Sequence, residues 1–113
     1  HADAVVDAAP PTDKPRKIRE VNPTETADHR VVYSDIDFNR HVNTMRYIEM
    51  MLDVLPIERF AEERPLRLDI NFLKEARYGQ TLSVALEERG SQTLVEIRSD
   101  AGAALCRGAF EWR

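Results

Sequence analysis

The sequence contains a single cysteine, four glycines and no long apolar run. Cys106 has no partner for an intrachain disulfide, so a reducing compartment, the cytoplasm, is the expected setting. No stretch approaches the ~20 consecutive apolar residues of a membrane-spanning helix. Excess positive charge is also missing: 16 Lys and Arg stand against 20 Asp and Glu, a net charge of −4. Nucleic-acid-binding surfaces are normally basic, so no nucleic-acid partner is expected. With 42% hydrophobic residues and no Gly-x-y repeat, the chain is neither collagen-like nor generally disordered. Residues 1–9 lack the basic segment and apolar core of a secretory signal. The triplet Asn22-Pro23-Thr24 is blocked as a glycosylation acceptor by its proline. The 113 residues suit one domain, and the first residue is not methionine, so the chain is taken as a piece of a longer protein.

Residues 1–27 read as a linker or tail, because Pro10, Pro11, Pro15 and Pro23 interrupt a polar stretch without apolar periodicity. The domain proper is expected over 28–113. Arg30-Val31-Val32-Tyr33 reads as a short strand. Met45, Ile48, Met51, Leu52 and Leu55 recur at spacings of three and four, which predicts an amphipathic helix. Asn43 or Thr44 caps its start, and Pro56 ends it; residues 57–63 suit a second, short helix. Beyond Pro65 the period falls to two. Leu66, Leu68, Ile70 and Phe72 alternate with Arg67, Asp69 and Asn71, the pattern of a half-buried strand. Leu82, Val84 and Leu86 repeat it, as do Thr93, Val95 and Ile97. Ala104, Cys106, Gly108, Phe110 and Trp112 share one face of a last strand. Tight turns at 88–91 and 100–102 make consecutive strands antiparallel neighbours. The fold class is therefore α+β, with one long central helix burying its stripe against an antiparallel sheet of about five strands.

Polar chemistry concentrates between the first strand and the helix. Asp35, Asp37, Asn39, His41 and Asn43 occupy alternate positions, which share a face in extended chain. Asp-x-Asp-x-Asn is how an EF-hand calcium loop begins, but such a loop needs glycine at its sixth position and glutamate at its twelfth. Arg40 and Arg46 stand there. Zinc is disfavoured too, because His29 and His41 lack a paired-ligand spacing. Two readings remain open. The polar residues are helix caps and surface hydrogen-bonding groups, or they form a catalytic cluster. An imidazole carries protons at neutral pH, a carboxylate orients it, and an amide donates to a developing oxyanion. A second carboxylate that activates water would complete such a cluster. Glu75, at the end of an otherwise apolar strand, is the best candidate, unless it is simply a solvated strand-end glutamate. Strand parity sets Glu75 opposite the apolar face of its strand, so either a bulge near Leu73-Lys74 re-aims it, the preferred reading, or the site lies on the sheet's other face.

The run Asp35-Ile36-Asp37-Phe38-Asn39-Arg40-His41-Val42-Asn43, followed by Tyr47, resembles the signature of the plant and bacterial acyl-[acyl carrier protein] thioesterases. The ending Phe110-Glu111-Trp112-Arg113 is similar to the Thr-Glu-Trp-Arg that closes the family's catalytic domain. The resemblance covers residues 28–113 and implies the hotdog fold. It also implies hydrolysis of fatty acyl-[acyl carrier protein] to free fatty acid, without cofactor or metal. By position, Asp37, Asn39 and His41 match the family's catalytic trio, and Glu75, 34 residues after His41, matches its glutamate. Implied roles are water activation by Glu75 with His41, carbonyl polarisation by Asn39, and positioning of both by Asp37. Ala76 stands where plant members carry a cysteine, so no cysteine nucleophile is available there. Asn43-Thr44 replaces the usual Asn-Asn.

Family members carry two tandem hotdog domains, and this chain resembles the C-terminal one. The implied partners are an acyl carrier protein and either a missing N-terminal hotdog domain or a second copy of this chain. Local basic residues such as Arg64, Arg67 and Arg77 are candidates for carrier docking. Substrate-binding residues and acyl chain length are not legible. The alternatives are a single-hotdog acyl-CoA thioesterase working as a homo-oligomer and a hotdog enoyl hydratase. The hydratase motif places histidine five residues after aspartate, where this chain has four. A non-catalytic module that binds acyl chains or a carrier protein is the alternative of a different class.

Overall fold

The computed structural model describes residues 4–7, 16–38 and 40–113. Among the described residues six strands form one antiparallel sheet: β1 (Ala4–Asp7), β2 (Glu25–Arg30), β3 (Pro65–Phe72), β4 (Thr81–Arg89), β5 (Gln92–Arg98) and β6 (Ala104–Trp112). Their spatial order is β1-β3-β6-β5-β4-β2, with every neighbouring pair antiparallel. Between β2 and β3 run a 3-10 turn (Tyr33–Asp35), helix α1 (Thr44–Asp53) and helix α2 (Ile57–Glu62). The hairpin turns fall where the sequence places them; Gly90 and Gly102 both have positive φ, which glycine adopts without steric cost.

Helix α1 begins as expected, with Asn43 Oδ1 accepting the Met45 N–H at 3.0 Å. Its buried face is rotated from the expected stripe. Tyr47, Met50, Met51 and Leu55 are buried, while Met45 and Leu52 are exposed. The helix lies against β6, where an added Cβ on Gly108 would come within 2.5 Å of the Met51 sulfur. A side chain at position 108 would have to displace the end of the Met51 side chain, and glycine leaves that space to it. The main core joins these residues to Leu68, Ile70, Leu82, Val84, Val95, Ile97, Cys106 and Phe110.

The N-terminal part departs from the sequence reading. The strand expected at residues 30–33 lies earlier, at Glu25–Arg30, and so crosses the expected domain boundary at 28. Val31 still meets Gln80 O through its N–H, at 2.8 Å. The chain then curls, because the Asp35 carboxylate takes the Val32 N–H at 2.9 Å and offers the backbone a local alternative to the ladder. Within the stretch expected to be a linker, β1 pairs with β3, and Ile18 and Val21 are buried with Ala85, Leu94 and Ala109.

That packing covers the outer face of the sheet, so β3 is not half-buried. Arg67, Asp69 and Asn71, expected to face solvent, are all buried. Arg67 Nε bridges both Asp69 oxygens at 3.0 Å, which removes Arg67 from the docking candidates. Asn71 Oδ1 accepts the Ile18 N–H at 2.7 Å, and Asn71 Nδ2 donates to Arg16 O at 3.0 Å. Glu96, almost fully buried, pairs with Arg98 and Arg107, which in turn donate to Val21 O and Ile18 O. Burial alone would raise the Glu96 carboxyl, but the hydrogen bonds from Arg107 and Arg98 hold it below its usual range.

Because the Met51 thioether it would meet is fully buried, Gly108→Ala is expected to cost about 1–3 kcal/mol by overpacking. Urea denaturation checks this; an unchanged midpoint would contradict the close helix–sheet contact.

Candidate functional site

Residues 36–38 and 40–42 form the two arms of a miniature hairpin in which Ile36 bridges Val42. The Asp37 N–H donates to His41 O at 2.8 Å, and the Arg40 N–H donates to Asp37 O at 3.0 Å. Asp37 Oδ1 accepts the His41 N–H at 3.2 Å. Arg40 takes a left-handed φ of 65°, a conformation that costs a non-glycine residue roughly 1 kcal/mol. A turn this tight replaces the extended chain from which a shared face was inferred.

The hairpin's returning arm pairs with the segment after β3. His41 bridges Arg77 in antiparallel sense, the Val42 N–H donates to Ala76 O at 3.0 Å, and the Tyr78 N–H donates to Arg40 O at 3.3 Å. The approach to Glu75 begins with an irregularity: the consecutive amides of Leu73 and Lys74 both donate to Leu105 O, at 2.8 and 3.0 Å. Two residues facing one is the hydrogen-bond pattern of a bulge. It turns Glu75 towards the hairpin, with Oε2 2.5 Å from His41 Nδ1. The two side chains are 42% and 33% exposed, open enough for water and a substrate to reach both.

The five alternating residues do not converge on one spot. Asp35 is fully buried beneath the hairpin. Its carboxylate meets His29 Nε2 at 2.8 Å and Arg46 Nε and Nη2 at 2.9 and 2.7 Å. Burial alone would raise this carboxyl, but bonds from the Val32 N–H, His29 and Arg46 hold it below its usual range. Asn43 is occupied in capping α1. Asp37, His41 and Glu75 remain together, and Asn39 lies outside the described residues. Sequence reading missed the support roles of His29 and Arg46, since nothing in their spacing marks them as partners of Asp35. It singled out Tyr47 only as part of a motif; its Oη accepts the Ala76 N–H at 2.8 Å.

One open cleft, of about 360 Å³, is lined by Arg40, His41, Arg77 and Tyr78. A second, of about 450 Å³, shares Arg40 and Tyr78 with it and is otherwise lined by Tyr33, Ile36, Asp37 and Phe38. Tyr33, Phe38 and Tyr78 are exposed aromatics that give these walls an apolar character. Among the described residues no cluster of His, Cys, Asp and Glu is arranged to hold a metal ion, and no helix is long and apolar enough to cross a membrane.

A family model described as the acyl-ACP thioesterase C-terminal domain matches residues 18–113. A curated chloroplastic acyl-[acyl-carrier-protein] hydrolase (FATB3) of Cuphea viscosissima is 29% identical over 119 aligned positions, covering 96% of this chain and 29% of its own length. An acyl-ACP thioesterase structure from Bacteroides thetaiotaomicron superposes with a TM-score of 0.81 at 33% identity, over 95% of this chain and 44% of that one. The 12:0-ACP thioesterase of Umbellularia californica gives a TM-score of 0.76 at 19% identity over 89% of this chain and 39% of that one, a likeness of fold. The chain thus spans between about a third and under half of the length of these relatives.

Asp35→Asn keeps the side chain's shape but removes the charge that Arg46 and His29 meet, and is expected to lower stability by about 1.5–3 kcal/mol at neutral pH. The folded pKa lies below the unfolded value of about 3.9. The wild-type advantage is therefore complete above that value and is lost as pH falls through the folded pKa. Urea midpoints measured from pH 7 downwards check this, and equal midpoints for the two proteins at pH 7 would contradict it.

Proposed function

Given that the chain belongs to the acyl-ACP thioesterase C-terminal domain family, we propose that it hydrolyses the thioester of fatty acyl-[acyl carrier protein]. Its fold is the hotdog expected from the sequence, with six strands where about five were anticipated. The observation that carries the proposal is the 2.5 Å approach of Glu75 Oε2 to His41 Nδ1, between groups 34 residues apart, beside an open cleft.

In the proposed reaction, Glu75 with His41 takes a proton from water as its oxygen attacks the thioester carbonyl. The tetrahedral oxyanion then collapses, the C–S bond breaks, and the proton passes to the leaving sulfur, giving free fatty acid and a carrier thiol. Asn39 is assigned polarisation of the carbonyl on motif position alone. Asp37 is assigned positioning of His41 and Asn39; its bond to the His41 N–H supports the first part. Water is the nucleophile throughout, since Ala76 offers no thiol and Cys106 is buried in β6.

The proposed thioesterase unit extends beyond the expected 28–113 to include residues 18–27, which fall within the family match and pack on the sheet or enter β2. The connector to a second hotdog domain is proposed towards the N-terminus of it. The exposed Met45, Leu52, Leu66 and Leu73 fit a surface that meets such a domain or a second copy of this chain. The carrier protein is the proposed partner, with Arg77 at the cleft and Arg64 further away as exposed cations. A cytoplasmic setting belongs to the same proposal; the chloroplastic address of one relative is that protein's own.

Glu75→Gln in the intact protein is expected to lower kcat by about 10²–10⁴, with His41→Ala similar. Thiol release from acyl-[acyl carrier protein] and from acyl-CoA, measured side by side, checks both claims. Near-normal turnover of Glu75→Gln would overturn the mechanism, and equal kcat/KM on the two substrates would overturn the preference for the carrier.

A further inference from the structure

One side chain of α1 touches both ends of the segment that carries Glu75. The Tyr47 ring packs edge-on against Phe72, the last residue of β3, with centroids 5.9 Å apart. Its Oη accepts the N–H of Ala76, the residue after Glu75, at 2.8 Å. Between these fixed points lie residues 73–75, the first two of which give their amides to Leu105 O. The other side of the Ala76 residue is also held, because its carbonyl accepts the N–H of Val42, the neighbour of His41. Both partners of the Glu75–His41 contact are thus anchored around Ala76.

We infer that Tyr47 is a positioning residue for thioester hydrolysis, setting the reach of Glu75 towards His41 by holding the Ala76 amide. The inference rests on the reading of Glu75 and His41 as the water-activating pair. Ala76 is fully buried and Tyr47 nearly so, so no solvent stands ready to replace the phenol oxygen. Glu75, by contrast, is 42% exposed, so packing does little to fix its carboxylate and the backbone beneath it sets where it points. Burial pushes the Tyr47 phenol up, which keeps it neutral throughout the pH range of the reaction.

The test uses the intact protein and a panel of saturated acyl-[acyl carrier protein] thioesters, scored by thiol release. Tyr47→Phe keeps the ring against Phe72 and removes the acceptor. Its kcat is expected to fall about 10–100-fold, the scale of a small misplacement of a reacting group. KM should stay within about twofold, because no substrate contact is lost. The double variant Tyr47→Phe/Glu75→Gln should be no slower than Glu75→Gln alone, since misplacing a carboxylate costs nothing once it is gone. A Tyr47→Phe kcat within about twofold of wild type, or a double variant slowed by the full product of the two losses, would overturn the inference. If Tyr47→Phe does not fold, 3-fluorotyrosine at position 47 weakens the acceptor and keeps the shape. A graded fall in kcat then supports the inference and an unchanged kcat overturns it. Glu75→Gln alone separates the two claims. Normal turnover there removes the catalytic reading and this inference with it, whereas its collapse beside a silent Tyr47→Phe removes only the inference.

Discussion

The antiparallel pairing of residues 40–42 with 76–78 brings a loop histidine and a strand-end glutamate together from 34 positions apart in the chain. Closing a loop of that length costs about 3 kcal/mol in chain entropy. The His41–Glu75 contact could not meet that cost itself, because a pair this exposed is worth roughly 0.2–1 kcal/mol. The closure is carried by the fold: β3 is held between β1 and β6, α1 is pressed onto Gly108, and the backbone bonds around Ala76 tie one to the other. The side chains that meet beside the cleft are consequences of that lattice.

A sheet of this kind has two faces to cover, and the chain covers them by different chemistry. The inner face takes the apolar stripe of α1. The outer face takes residues 16–23, held by buried and half-buried polar side chains that address backbone groups: Asn71 to residues 16 and 18, Arg107 to Ile18, and Arg98 to Val21. Replacing such an ion-paired network by apolar residues is often neutral or stabilising, so its value here lies in register. Directional bonds fix where the segment runs, which two small apolar contacts from Ile18 and Val21 would leave loose.

The elements that were legible in the sequence share one property, a periodicity enforced by the core. The helix start at Asn43, the strands β3 to β6 and both hairpin turns follow from patterns of apolar residues and glycine. Where another interaction decided the structure, the pattern misled. Glu-Thr-Ala-Asp-His-Arg in β2 carries no apolar alternation because an edge strand pairs through its backbone. Arg67, Asp69 and Asn71 look solvent-facing until the covering segment is known, and that segment looks like a linker because its bonds are made by residues far along the chain. In the candidate site, the motif and the 34-residue spacing gave the His41–Glu75 meeting, and the parity conflict at Leu73-Lys74 pointed to the bulge. The alternation from Asp35 to Asn43 did not denote a shared face, because hydrogen bonds of Asp35 and Asp37 curl the chain into turns.

The central claim is that Glu75 holds the His41 ring in one orientation, with Nδ1 directed at its carboxylate. Ring ¹⁵N chemical shifts of His41, measured in wild type and in Glu75→Gln, test this most directly. The account predicts a proton on Nδ1 in the wild type, directed at the Glu75 carboxylate, with that preference lost in the variant. A wild-type His41 protonated at Nε2, with shifts that do not respond to Glu75→Gln, would contradict it.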